Sequence, residues 1–124
     1  MAQRLPPEIE NKLTRFQSLQ AQYTRLVQER SAVEAEIAEV QRVLKLLEEA
    51  GDDAPVYRMQ AGILVRVDKS KLVQELKDRL EILEIRLQKL KKQEEEVKKQ
   101  LDQIAKEIKE FQAKTTLGKQ GAGS

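Results

Sequence analysis

The sequence predicts a mainly α chain in which two long helices form an antiparallel coiled coil, joined by a single β-hairpin that assembles between subunits. Three observations predict it. Apolar residues recur at alternating steps of three and four over two long stretches, which marks a heptad seam. Between those stretches the run VYRMQAGILVRVD, residues 56–68, is rich in β-branched side chains and has Gly62 near its centre. Finally, 40% of the 124 residues are hydrophobic and 3% aromatic, against 35% charged. That is too little apolar mass for a compact core of this length, but it suits the narrow stripe that a coiled coil buries.

Pro6 and Pro7 can precede or open the first helix, because the first N–H groups of a helix have no internal partner. Glu8 and Glu10 suit the positive end of its dipole. Helix-compatible sequence continues to Ala50, and Gly51 is a stop signal. Its seam runs Leu19, Tyr23, Leu26, Arg30, Val33, Ile37, Val40, Leu44 and Leu47. Ile9, Leu13 and Phe16 fall on one face upstream, but the step from Phe16 to Leu19 is three where four is due. The repeat stammers there and should disturb the supercoil locally.

The second helix is expected to follow Asp68, a plausible N-cap. Its seam runs Val73, Leu76, Leu80, Leu83, Leu87, Leu90, Glu94, Val97, Leu101, Ile104, Ile108 and Phe111. Two helices joined by a short segment fold back antiparallel. The matching register sets Leu44 opposite Leu80, Ile37 opposite Leu87 and Tyr23 opposite Leu101. It also sets Arg30 opposite Glu94, the one polar residue of each seam. A charged pair in one layer would hold the register, since a slip of one heptad separates the two charges. One domain is expected over residues 7–113, with an N-terminal tail at 1–6 and a flexible tail at 114–124.

The connection from Gly51 to Val67 is 17 residues long. Residues 56–60 and 63–67 read as strands, with the turn at Ala61-Gly62 and the hairpin as a whole at about 55–67. Alternation places Tyr57 and Met59 on one face and Val56 and Arg58 on the other. Ile63, Val65 and Val67 share a face, opposed by Leu64 and Arg66. An isolated two-stranded hairpin is marginal in water, and its unpaired edges are templates for other strands. Val56, Tyr57, Met59, Ile63, Leu64, Val65 and Val67 are therefore the expected oligomerisation residues.

Several chemistries find no support. The chain has no histidine and no cysteine, which removes the commonest general base, metal ligand and thiol nucleophile. No catalytic, cofactor or metal site is expected, and no enzyme. The tail GKQGAGS, residues 118–124, lacks the strand-loop-helix order of a phosphate loop. With 23 basic and 21 acidic residues, net charge +2 gives no footprint for nucleic acid or an anionic membrane. Lys89, Lys91, Lys92, Lys98 and Lys99 are interleaved with Glu94, Glu95 and Glu96, as on a solvated face. No stretch has the roughly 20 apolar residues of a membrane span. A cytoplasmic protein is the expectation.

The order of long helix, acidic turn, single hairpin and long helix resembles the β-type subunit of prefoldin, in particular the archaeal form. The likeness extends from about Pro7 to Phe111, and its most specific parts are DDAPVYRMQAGILV and KLVQELKDRLE. The resemblance implies an ATP-independent chaperone. It implies a hexamer of two α-type and four β-type subunits, whose hairpins build a double β-barrel body carrying the coiled coils. It further implies that non-native protein is held at the distal coiled-coil tips and passed to a group II chaperonin. An α-type subunit carries two hairpins, and the connection here has room for one.

On this reading Ile9, Leu13, Phe16, Ile108, Phe111 and Leu117 are the expected client-binding residues. Both phenylalanines of the chain lie among them, beside the stammer, and exposed apolar patches mark interaction sites. The alternative is a structural coiled-coil adaptor that binds one defined partner. A chaperone suppresses aggregation of several unrelated proteins, and an adaptor does not.

Overall fold

The computed structural model describes residues 5–122, and side chains as far as residue 115. Four elements follow one another: α1 (Pro7–Glu49), β1 (Val56–Gln60), β2 (Ile63–Val67) and α2 (Lys69–Ala122). This is the expected architecture of two long helices with one hairpin between them.

Helix α1 starts where proline allows it. The amides of Ile9 and Glu10 both donate to the Pro6 carbonyl at 3.0 Å, so Pro7 stands at a position that needs no N–H. At its far end the Ala50 amide donates to the Leu46 carbonyl, and a turn closed by Ala54 N–H on Gly51 C=O leads into β1. Helix α2 is capped by Asp68, whose carboxylate accepts the Lys71 amide at 3.1 Å and the Ser70 hydroxyl at 2.8 Å. Past residue 113, where the sequence reading begins a tail, α2 continues to Ala122. Gln112, Ala113 and Lys114 are good helix formers, and the Thr115 hydroxyl satisfies the Phe111 carbonyl at 2.9 Å.

The strands pair antiparallel, from Val56 with Val67 to Gln60 with Ile63. The two residues between them have positive φ, 49° at Ala61 and 76° at Gly62. That is the twist-matched two-residue turn that closes tight hairpins.

The chain packs as two units, Glu29–Leu90 in one and residues up to Gln28 with those from Lys91 onward in the other. Each sets a length of α1 antiparallel to a length of α2. In the Glu29–Leu90 unit the core is Val33, Val40, Leu47, Leu83 and Leu90, with Leu83 at 1% exposure the most deeply buried. Outside that core Arg79 crosses to Glu36 at 2.7 Å. The other unit buries Ile9, Leu19, Leu26, Val97 and Ile104, and Lys12 reaches Glu107 at 3.5 Å.

Burial is uneven along the seam. One row, Leu19, Leu26, Val33, Val40 and Leu47, is buried at every seventh residue. The alternate row, Tyr23, Arg30, Ile37 and Leu44, is only half-buried. The second helix repeats this: Leu83, Leu90, Val97 and Ile104 are buried, while Leu80, Leu87, Leu101 and Ile108 are half-buried. Glu94 belongs by spacing to the half-buried row and is nonetheless buried, at 9% exposure.

Candidate functional site: the exposed hairpin and the helix ends

The hairpin concentrates apolar side chains that stand exposed among the described residues. Tyr57, Met59, Ile63, Leu64 and Val65 are 41–65% exposed. Val56 and Val67, which face each other across the strands, are half-buried. The seven expected oligomerisation residues thus divide into a half-buried pair and five exposed ones. Cross-strand partners share a face, so Val56, Arg58, Gln60, Ile63, Val65 and Val67 stand on one side. Tyr57, Met59, Leu64 and Arg66 stand on the other.

Arg58 shows which side looks inward. Its guanidinium reaches the Glu75 carboxylate on α2, with Nη2 3.1 Å from Oε2 and Nη1 donating at 3.5 Å to Oε1. A second link joins the helix ends. The Lys69 ammonium donates to the Ala50 carbonyl at 2.7 Å and the Gly51 carbonyl at 3.2 Å. The last turn of α1 has no basic residue of its own, so Lys69 supplies the cation that a helix C-terminus favours.

The helix ends remote in sequence from the hairpin are more closed than the stammer suggests. Ile9 is buried at 4% exposure, and Leu13, Phe16, Ile108 and Phe111 are half-buried. A shallow cleft of about 250 Å³ opens there, lined by Pro6, Ile9 and Phe111 with Lys12 and Glu107 among its charged residues. The side chain of Leu117 lies outside those described. Of the expected register pair, Arg30 is half-buried and forms an ion pair with Glu34 at 2.8 Å, while Glu94 is buried. The two belong to different units. Their pairing stays a proposal that rests on the spacing of the seams.

Within the helices three exposed apolar residues lie outside the seam: Leu46, Ile82 and Ile85. Their signal is in the sequence, since each stands two residues past a seam position (Leu44, Leu80 and Leu83) and so points outward. Ile85 lines a shallow groove with Ile37 and Leu87. Arg58, Glu75 and Lys69 escape the seam reading, because links across long sequence separations leave no periodic trace. Among the described residues no helix is long and apolar enough to cross a membrane.

A family model for prefoldin subunit matches residues 10–115. The prefoldin subunit beta of Saccharolobus islandicus is 41% identical over 85 residues, covering 68% of each chain. That of Sulfolobus acidocaldarius is 38% identical over the same length and share. The crystal structure of the prefoldin beta subunit from Thermococcus strain KS-1 is similar with a TM-score of 0.78 and 33% identity, covering 89% of this chain and 96% of that one.

Proposed function

The chain belongs to the prefoldin family, with the single hairpin and the relatives of a β-type subunit, and from that premise we propose that it is a subunit of an ATP-independent holdase chaperone. Its hairpin joins the hairpins of other subunits, two α-type with four β-type, in a shared β body. The apolar residues at the helix ends remote from the hairpin take up non-native proteins, which then pass to a group II chaperonin. It works in the cytoplasm, without enzymatic chemistry, cofactor, nucleic acid or membrane.

The observation that carries this reading is the hairpin: five large apolar side chains stand exposed on a two-stranded sheet. Such a sheet is marginal alone and leaves strand edges open, so it gains most by adding strands from other chains. Holding of clients is supported by the cleft at Pro6, Ile9 and Phe111, an apolar floor with a charged rim. Weak binding at one such site is strengthened when several sites grip one unfolded chain.

The test has two parts. Native mass measurement of the chain alone and mixed with an archaeal α-type prefoldin subunit should show a discrete assembly of several hairpins. That assembly should suppress aggregation of at least two unrelated unfolded proteins without nucleotide. Suppression restricted to a single partner would replace the chaperone by a coiled-coil adaptor, and a chain that stays monomeric in both mixtures would remove the hairpin as the joint.

A further inference from the structure

One polar link, Arg58 with Glu75, joins the hairpin to a helix, and a second, Lys69 on the Ala50 and Gly51 carbonyls, ties the segments on either side of it. Of the two strands only Val56, Arg58 and Val67 are half-buried, and the rest are exposed. Two valines cannot fix the tilt of a sheet, because apolar contact is non-directional. The Arg58–Glu75 fork is directional: two guanidinium nitrogens face two carboxylate oxygens, 17 residues apart in sequence, and join the middle of β1 to the second turn of α2. Lys69 adds a third fixed point by holding the carbonyls at the end of α1 against the start of α2. The segment that leads from α1 into β1 and the first residue of α2 are thereby clamped to one another.

From this geometry we infer that Arg58, Glu75 and Lys69 are positioning residues for assembly: they hold the hairpin so that its Tyr57, Met59 and Leu64 face is turned away from the chain's own helices and toward strands of other subunits. The inference rests on the reading of the hairpin as the joint. It adds that the joint is oriented before partners arrive. A hairpin free to roll on two valines would offer either face, and each subunit would lose that freedom on assembling. Pre-orientation removes this loss and so favours association without adding any contact to the partner.

The test is a charge swap read on the assembly. Arg58→Glu and Glu75→Arg should each raise the concentration for half-assembly by roughly 2- to 10-fold in low salt, the range set by a partly exposed ion pair and the freedom it removes. Helix content by circular dichroism should be unchanged, as both side chains are on the surface. The double variant should recover most of the loss. Raising the salt to about 1 M, where screening acts within a few ångströms, should shrink the penalty of either single variant. Lys69→Met should weaken assembly and Lys69→Arg restore it. Met59→Asp with Leu64→Asp, on the face turned to partners, serves as the control for the joint itself and should abolish assembly. If that control assembles like the parent, the joint and this inference both fall. If the control dissociates but the Arg58 and Glu75 variants assemble like the parent, or the swap is no better than the two singles together, the positioning role alone is overturned.

Discussion

At Ala61 the chain carries a local strain that the hairpin imposes. An L-residue other than glycine or asparagine is disfavoured at positive φ, because its Cβ crowds the following carbonyl oxygen, by roughly 1–2 kcal/mol. Ala61 stands at 49° and Gly62 at 76°. Ala61→Asn should therefore stabilise the hairpin by about 0.5–1 kcal/mol, seen as a rise in the thermal midpoint. Gly62→Ala should lower it by a similar amount. A Cβ at Gly62 would meet nothing within 4 Å, so that loss comes from the backbone alone. Equal midpoints for all three proteins would refute this account of the turn.

Asp68 is a residue-scale feature with a pH signature. The Ser70 hydroxyl, and then the Lys71 amide, donate to its carboxylate and hold its pKa below the ordinary 3.8. The folded chain then takes up this proton less readily than the unfolded one. The stabilisation is fully present above pH 3.8 and is lost as pH falls through the depressed folded value. Denaturation of the parent and of Asp68→Ala, compared across pH, should show a gap that is constant near neutrality and closes in acid below 3.8. A gap that survives there would mean that the charge is not what caps α2.

At the scale of the helix, seam and off-seam positions should respond very differently. Leu83 is 1% exposed and Ile85, two residues on, is exposed. Leu83→Ala should cost about 2–5 kcal/mol in denaturant unfolding, as for other buried leucines truncated in cores. Ile85→Ala on the same helix should change stability by less than about 0.5 kcal/mol, the usual range for surface substitutions. Similar costs at the two sites would mean that the seam is not where the helix is held. The comparison also shows how far the heptad reading goes. Spacing alone names Leu83 as seam and leaves Ile85 outside it, yet spacing gives no reason why Leu83 is buried and Leu80 only half-buried.

For the molecule as a whole, the proposed division of labour is between the hairpin and the remote helix ends. Removing residues 1–16 together with 109–124 takes away Ile9, Leu13, Phe16, Phe111 and Leu117 but leaves the hairpin and its links intact. Assembly should survive, because the joint is elsewhere, while suppression of aggregation should fall severalfold with the loss of apolar surface. The readout is light scattering of an unfolded protein with the truncated assembly, after its mass has been checked. Full activity in an intact truncated assembly would take the helix ends out of the mechanism.

Element order, strand bounds, the turn and the seam are all legible along the chain. Each is a local property: the heptad period, the β-branched runs around Ala61-Gly62, Pro7 at one helix start and Asp68 at another. Period and turn chemistry act over a few residues, so they can be read without knowing what packs on what. Tertiary structure alone decided which face of the hairpin turns inward, that Lys69 serves the end of the other helix, and that Ile9 is buried beside an irregular repeat. These depend on how far a side chain reaches and on which surface stands opposite it. Residues 58 and 75, or 50 and 69, meet only because two helix ends and a hairpin converge in space, and no periodicity along the chain records that convergence.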